Sequence, residues 1–304
     1  MFFFESITWY QAIMFCIVVA LLILFNEVTR RSKWAAIFCL FILPLFLTFF
    51  VWPTTAGSGS STGTWFHWVK VYSALAGCIG FFILRHKKGA AANKYWLMFP
   101  PVILALNIAE AVLRDFECVN LNGMVDGVMM VGGPWNIMNG IAGILNIIMI
   151  CGWSGIYISK KNSKDMIWPD MFAGWIIAYD IWNFAYVYNC VSDHAFYAGL
   201  ALLVAPTIVA FTFSKGAWLQ HRAHTLAAWM MFTMAVPSFV GESRFAVASS
   251  HNETALFLVS AVSLATNVGF MIYHIYRVVK YKKNVFKDEV YKGTKSYERI
   301  IENA

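Results

Sequence analysis

Charge is what this sequence has least of. Asp, Glu, Lys and Arg make up 13% of its 304 residues, about half the share of an ordinary soluble domain. With 60% hydrophobic residues beside it, that shortage excludes both a soluble globular chain and a disordered one. Histidine is scarce and scattered, seven residues in all, so the clustered histidines of a membrane di-metal oxygenase are missing. The six cysteines form no CxxC pair, which argues against a zinc knuckle and a dithiol redox motif. P-loop, GxSxG, HExxH and dinucleotide fingerprints are absent as well. No metal and no cofactor is expected. The first apolar stretch has no basic leader and no small-residue exit site, so it is expected to stay as a helix rather than be cleaved.

What the chain has in plenty is apolar stretches of membrane length. They fall at roughly 8–26, 34–52, 66–84, 95–113, 134–158, 170–189, 195–213, 225–241 and 254–276. Hydrocarbon cannot hydrogen-bond to a backbone, so a chain in lipid must satisfy its own N–H and C=O groups. A helix of about 20 residues does this across a core of about 30 Å. The expected fold class is therefore all-α, a polytopic integral membrane protein of about nine transmembrane helices. Residues 1–280 form the transmembrane domain and 281–304 a basic tail.

Lysine and arginine alternate between loops. Arg30, Arg31 and Lys33 follow the first stretch. Arg85, Lys87, Lys88 and Lys94 follow the third. Lys160, Lys161 and Lys164 follow the fifth, and Lys215 and Arg222 the seventh. The tail is basic from Arg277 onward. By the positive-inside rule the N-terminus is expected outside and the tail in the cytoplasm, in a cell membrane. The formal charge of +7 then meets anionic lipid, and nucleic acid is not expected as a partner. Tryptophans agree with this frame: Trp9, Trp52, Trp65, Trp68 and Trp135 at outer helix ends, Trp34, Trp96, Trp168 and Trp218 at inner ends. The Thr54–Thr64 segment, rich in Gly, Ser and Thr, reads as a flexible connector, and the tail as a solvated or surface-lying helix.

Polar residues inside the stretches are where function can be sought, because they are costly in lipid and tend to face a cavity or a partner. Asn107, Glu110 and Arg114 share one helical face. Asn136, Asn139, Gly140, Gly143 and Asn146 form another stripe, with glycines for close approach and asparagines to hydrogen-bond across it. Tyr179, Asp180 and Asn183 lie together, Asp180 about 15 Å into its helix. Glu242 and Arg244 close the eighth stretch. If these converge, they line an outward-opening pocket with a midplane carboxylate. The structural alternative makes Glu110–Arg114 an i,i+4 pair, Glu242–Arg244 an interfacial pair and the asparagines interhelical glue. Lys70, near a helix end, is expected to snorkel to the interface. His221, Arg222 and His224 are expected at a cytoplasmic helix entrance. Cys118 and Cys190 both fall in predicted outer loops, where a disulfide between them is possible.

The runs PWNIMNGIAGILN, WIIAYDIWNFAYVYN and KGAWLQHRAHTLAAWMMF resemble an uncharacterised family of bacterial multi-spanning membrane proteins. The likeness covers essentially the whole chain. It implies that Asn136, Asn139, Asp180 and Asn183 belong to a recurring pattern, and it implies no activity.

Three functions follow from these residues. The first is a transporter or channel-like protein for a small polar solute or cation. Asp180 and Glu110 would hold an ion or proton, Asn136, Asn139, Asn183 and Tyr179 would line the solute site, and Arg114 or Arg244 would meet an anionic group. The second is a receptor with an outward-facing pocket. The third is a membrane enzyme acting on a lipid-linked substrate. A polar track reaching both faces favours the first, a closed outer pocket the second, and a lateral slot beside a carboxylate the third. The sequence does not fix an oligomeric state.

Overall fold

The computed structural model describes residues 2–57 and 60–303. The main helices are α1 (Trp9–Arg31), α2 (Lys33–Thr55), α3 (Trp65–His86), α4 (Lys94–Cys118), α5 (Pro134–Ile148), α6 (Ala173–Cys190), α7 (Tyr197–Phe211), α8 (Trp218–Ala235) and α9 (Glu253–Lys280). A short α10 (Lys295–Asn303) ends the chain. Two antiparallel hairpins interrupt them. One pairs β1 (Asn122–Val125) with β2 (Val128–Val131), the other β3 (Tyr157–Ile158) with β4 (Met166–Ile167).

By length and composition, five helices could each cross a membrane: α1, α2, α3, α4 and α9. Their surfaces are turned inside out relative to a soluble bundle. Ile13, Ile17, Leu21 and Leu24 are exposed along α1, while Asn26 and Thr29 are buried. On α5, Ile137, Ile141, Ile144 and Ile148 face outward, and Asn136, Asn139 and Asn146 face in. Apolar stripes at helical spacing that point away from the protein need an apolar surrounding. α6 and α8 are packed on nearly every side, with Trp175, Trp182 and Trp218 fully buried, so they need no continuous apolar surface.

The loops segregate to two ends. At one, Arg85 Nη2 donates to the carbonyls of Arg30 and Ser163, Trp168 N–H donates to Gly216, and Val290 N–H donates to Asp170. This basic end gathers the loops after α1, α3, α5 and α7 together with the tail. At the other, Glu5 N–H donates to Ala248, Ser61 to Asp193, Ser192 to Met129 and Tyr188 to Phe3.

Prolines shape the irregular turns. α2 contains π-type stretches at Phe38–Ile42 and Leu47–Val51, just before Pro44 and Pro53 respectively. α7 opens with another, Tyr197–Ala201, ahead of Pro206. A proline has no N–H and crowds the carbonyl four residues back, and a widened turn relieves both.

Several sequence expectations are corrected. α5 stops at Ile148 instead of 158, because Gly152 takes a left-handed φ of +67° with the Asp170 carboxylate seated against it. α8 starts at Trp218 instead of 225, which draws Gln220–Thr225 into the helix, every one of them buried. The tryptophan belt is mixed: Trp9 and Trp34 are exposed, but Trp52, Trp168 and Trp218 are wholly buried with their indole N–H groups bonded. In the Thr54–Thr64 connector residues 58 and 59 lie outside the described residues, and Ser60, Ser61 and Thr62 are buried.

The tail does not hang free either. Val290 and Tyr291 are fully buried in a small second core with Cys151, Ile167, Phe172, Ala217 and Ile300. The Asp170 carboxylate accepts from the backbone N–H of Val290 (2.7 Å) and Tyr291 (3.4 Å). Burial pushes the Asp170 carboxyl up to about 6, against those hydrogen bonds.

Candidate ligand cavity

α3, α4, α6, α7 and α8 enclose a cavity of about 50 Å3, room for a few waters or a ligand of a few atoms. Each wall is one helical face. Tyr179, Asn183 and Tyr186 come from α6 at i, i+4, i+7, and Arg222, Leu226 and Trp229 from α8 at the same spacing. α3 contributes Phe66, His67 and Lys70, and α4 Asn107. His194, just before α7, lies against His67 with ring centroids 5.1 Å apart.

Two cations face this space. Lys70 is buried and paired: its Nζ is 2.8 Å from Glu110 Oε2 and donates to the Asn107 carbonyl at 2.7 Å. Ser73 also donates to Glu110. Lys70 therefore does not snorkel, and Glu110 pairs with it and not with Arg114, which takes Glu117 at 2.8 Å. Arg222, 5% exposed, is bonded through Nη2 to Asn183 Oδ1 at 3.2 Å, while its Nε and Nη1 have no hydrogen-bond partner. The Tyr186 hydroxyl and the Trp229 indole N–H are also unpartnered. His194 Nε2 is 3.4 Å from Asp193 but misaligned for a hydrogen bond.

Of the residues singled out from sequence, the cavity unites Asn107, Tyr179 and Asn183, with Glu110 one bond behind. The others lie elsewhere. Asn136 and Asn139 donate to Asp115 at 3.4 and 2.8 Å, in a sealed cluster. Glu242 and Arg244 are exposed, the Arg244 guanidinium over the Phe245 ring. Asp180 accepts from Thr207 at 2.7 Å and faces a different space, an apolar groove of about 750 Å3 walled by Phe3, Phe184, Leu203 and Val262. Tyr179 and Asp180 are adjacent, and the 100° step of a helix turns them to different faces. Cys118 and Cys190 are not loop residues. They end α4 and α6, are buried, and are free thiols. Cys190 sits beside Cys118 but gives its S–H to Asp115 at 3.2 Å, so of the two possibilities, bridge or free thiols, the second holds.

Arg222, His67, His194 and Asp115 were missed. Hydropathy drops across Gln220–Thr225, and that dip reads as a loop. The usable signal was the continuation of Arg222 into Leu226 and Trp229 on a single helical face.

α8 is polar on its far side too. His221 and His224 contact Asn26 at 3.0 and 3.2 Å, and Gln220 donates to Asp165, which also binds Arg30 at 2.7 Å. Burial alone would raise the Asp165 carboxyl. Interactions with His221 and Arg30 and hydrogen bonds from Ser163 and Gln220 outweigh it and hold the group below the usual carboxylate range.

The model of one family of unknown function matches residues 5–303. The chain belongs to that family, DUF5692. No curated protein and no solved structure matches it. Membership in DUF5692 carries no activity with it, so the chemistry has to be read from the residues around the cavity. Among the described residues no group of three or more His, Cys, Asp and Glu is placed to hold a metal. The cavity can accept hydrogen-bond acceptors and negative charge, in a space too small for a large substrate.

Proposed function

We propose that this is a nine-span membrane protein that moves a small solute through the α3–α6–α8 cavity. The nine-span reading is supported by the alternation of loops between two ends and by the outward apolar stripes. Positive charge at one end supports a cytoplasmic tail. The observation that carries transport over sensing is α8 itself. Arg222 faces the cavity on one side of Gln220–Thr225, and on the other side Gln220 donates to Asp165 at the basic end while His221 and His224 bond Asn26. Polar side chains thus run from His67 and His194 near one end to Asp165 at the other, interrupted by a small apolar space walled by Phe81, Leu104 and Leu219. Such an interruption is what a closed gate would be, and tilting α8 would open it. Pro237, just beyond α8, and Pro206 inside α7 are placed to permit that movement.

The test is osmotic shrinkage and swelling of proteoliposomes, followed by light scattering, across neutral, cationic and anionic solutes of a few heavy atoms. Flux above protein-free vesicles for at least one class, lost in a cavity-filling Asn183→Leu variant, is expected. Binding without flux of any class would replace transport by sensing.

A second reading has its own observation. Asp180 beside the 750 Å3 apolar groove matches a lateral slot for a lipid-linked or amphiphilic substrate. Lipid extracted with the purified protein, reduced in Asp180→Asn, would favour it.

A further inference from the structure

The buried, unpartnered polar atoms that line the cavity share one character. Around the cavity they are donors or can donate: Arg222 Nε and Nη1, Trp229 Nε1, the Tyr186 hydroxyl and His194 Nε2. The acceptor-only oxygens without partners, on Asp180, Asn146, Asn189 and Asn267, belong to residues that do not line it, as do three further donors, Asn26 Nδ2, Trp175 Nε1 and His221 Nε2. A buried donor left unbonded costs about 1–3 kcal/mol, and a buried unpaired charge more. A ligand that brings acceptors and a negative charge would relieve both.

Charge leads to the same conclusion. Lys70 and Glu110 neutralise each other at 2.8 Å. Arg222 has no carboxylate within ion-pair distance among the described residues; its bonded partners are the neutral Asn183 and Tyr179. Asp180 feels the Arg222 charge but forms no ion pair with it. The guanidinium also keeps its shape for recognition. Nη2 is on Asn183 and the Tyr179 side chain also hydrogen-bonds the guanidinium, while Nε and Nη1 keep their N–H groups for an oxyanion. Phe66, Tyr179 and Trp229 exclude water around it, which strengthens the interaction.

We infer that the cavity binds a small monovalent oxyanion, a carboxylate or similar planar anion of about three to five heavy atoms, clamped by Arg222 and completed by Tyr186 and Trp229. Size follows from the cavity, 50 Å3, and charge from the Arg222 guanidinium, which forms no ion pair among the described residues. The inference rests on this cavity being the site proposed above, and does not depend on whether the ligand is carried or only sensed.

The experiment is a thermal-unfolding titration of the full chain in detergent with sodium acetate, ionic strength being held with sodium gluconate, whose anion is too large to enter. Acetamide serves as the uncharged isostere. Acetate is expected to raise the midpoint saturably, and acetamide to leave it unchanged. Arg222→Gln should weaken the apparent acetate affinity by about tenfold or more. Because that variant could fail to fold, Asn183→Asp provides a second route. It places a carboxylate where the anion would sit, so the protein should gain stability and lose its acetate response. No saturable shift with acetate, formate or nitrate in the wild type would overturn the inference, as would an equal shift with acetamide or an unchanged response in both variants. Acetate binding without flux would defeat transport and leave the anion site standing. Flux of a neutral solute, indifferent to Arg222→Gln, would do the reverse.

Discussion

Two buried polar clusters about one helix apart are built on opposite principles. At the Asp115 cluster a wholly buried carboxylate is met by Asn136, Asn139 and the Cys190 thiol, and Asn139 in turn accepts from Ser263 at 2.8 Å. Each donor has its acceptor, and four helices, α4, α5, α6 and α9, are tied at that point. At the α3–α6–α8 cavity the donors outnumber the acceptors and space is left between them. A closed polar network holds helices together; an open one leaves donors and space unused. The asparagine stripe attracts attention in sequence because it is dense, yet it belongs to the first kind.

The comparison can be broken most directly at its centre. Asp115→Ala removes the acceptor from two amides and a thiol, and should cost about 3 kcal/mol or more, seen as a large drop in the thermal midpoint in detergent. Arg222→Gln should change stability by less than about 1 kcal/mol, because it removes an unpaired charge. Equal losses in the two variants would erase the distinction between them.

Next in size is the tail. The carboxyl of Asp170 is raised to about 6 in the folded protein, above the ordinary value of about 3.9. The folded state therefore binds the extra proton, and this contribution, on the order of 2–3 kcal/mol, is present below about pH 4 and lost as pH rises through about 6. Cleavage of residues 284–303 by an added protease with a broad pH range should be slower at pH 5 than at pH 7, after correction for protease activity. Asp170→Asn should flatten that difference.

Packing within the closed cluster gives a smaller effect. A Cβ on Gly143 would sit 2.5 Å from Val112 Cγ2 and 2.7 Å from Trp182 Nε1. Gly143→Ala should thus cost about 1–3 kcal/mol, measured by the same midpoint, with acetate binding intact. Smallest is Glu117→Gln. Its pair with Arg114 has an exposed partner, and the loss should stay below about 1 kcal/mol.

Much of the architecture was legible before any coordinates. Hydrophobic stretches placed all the long helices, since a period of 3.6 and a length near 20 residues leave little choice in lipid. The glycines and asparagines of α5 share one contact face, but Asn136 and Asn139, expected to line a solute site, are bonded to Asp115 instead. Boundaries failed where one residue overrode the pattern, as at Gly152, or where polar residues continued a helix inside protein, as at Gln220–Thr225. Asp180 and Tyr179 show the limit for the site. Neighbours in sequence, they lie on different faces of α6, and only the packing of α7, α8 and α9 decides which face meets a cavity and which an apolar groove.

Composition and the alternation of basic loops determined the class of this protein and the ordering of its helices, because solvation energy acts on each segment alone. Which buried groups find partners depends on several helices at once. The pairing of Lys70 with Glu110, the sealing of Asp115 and the isolation of Arg222 were therefore decided by tertiary structure.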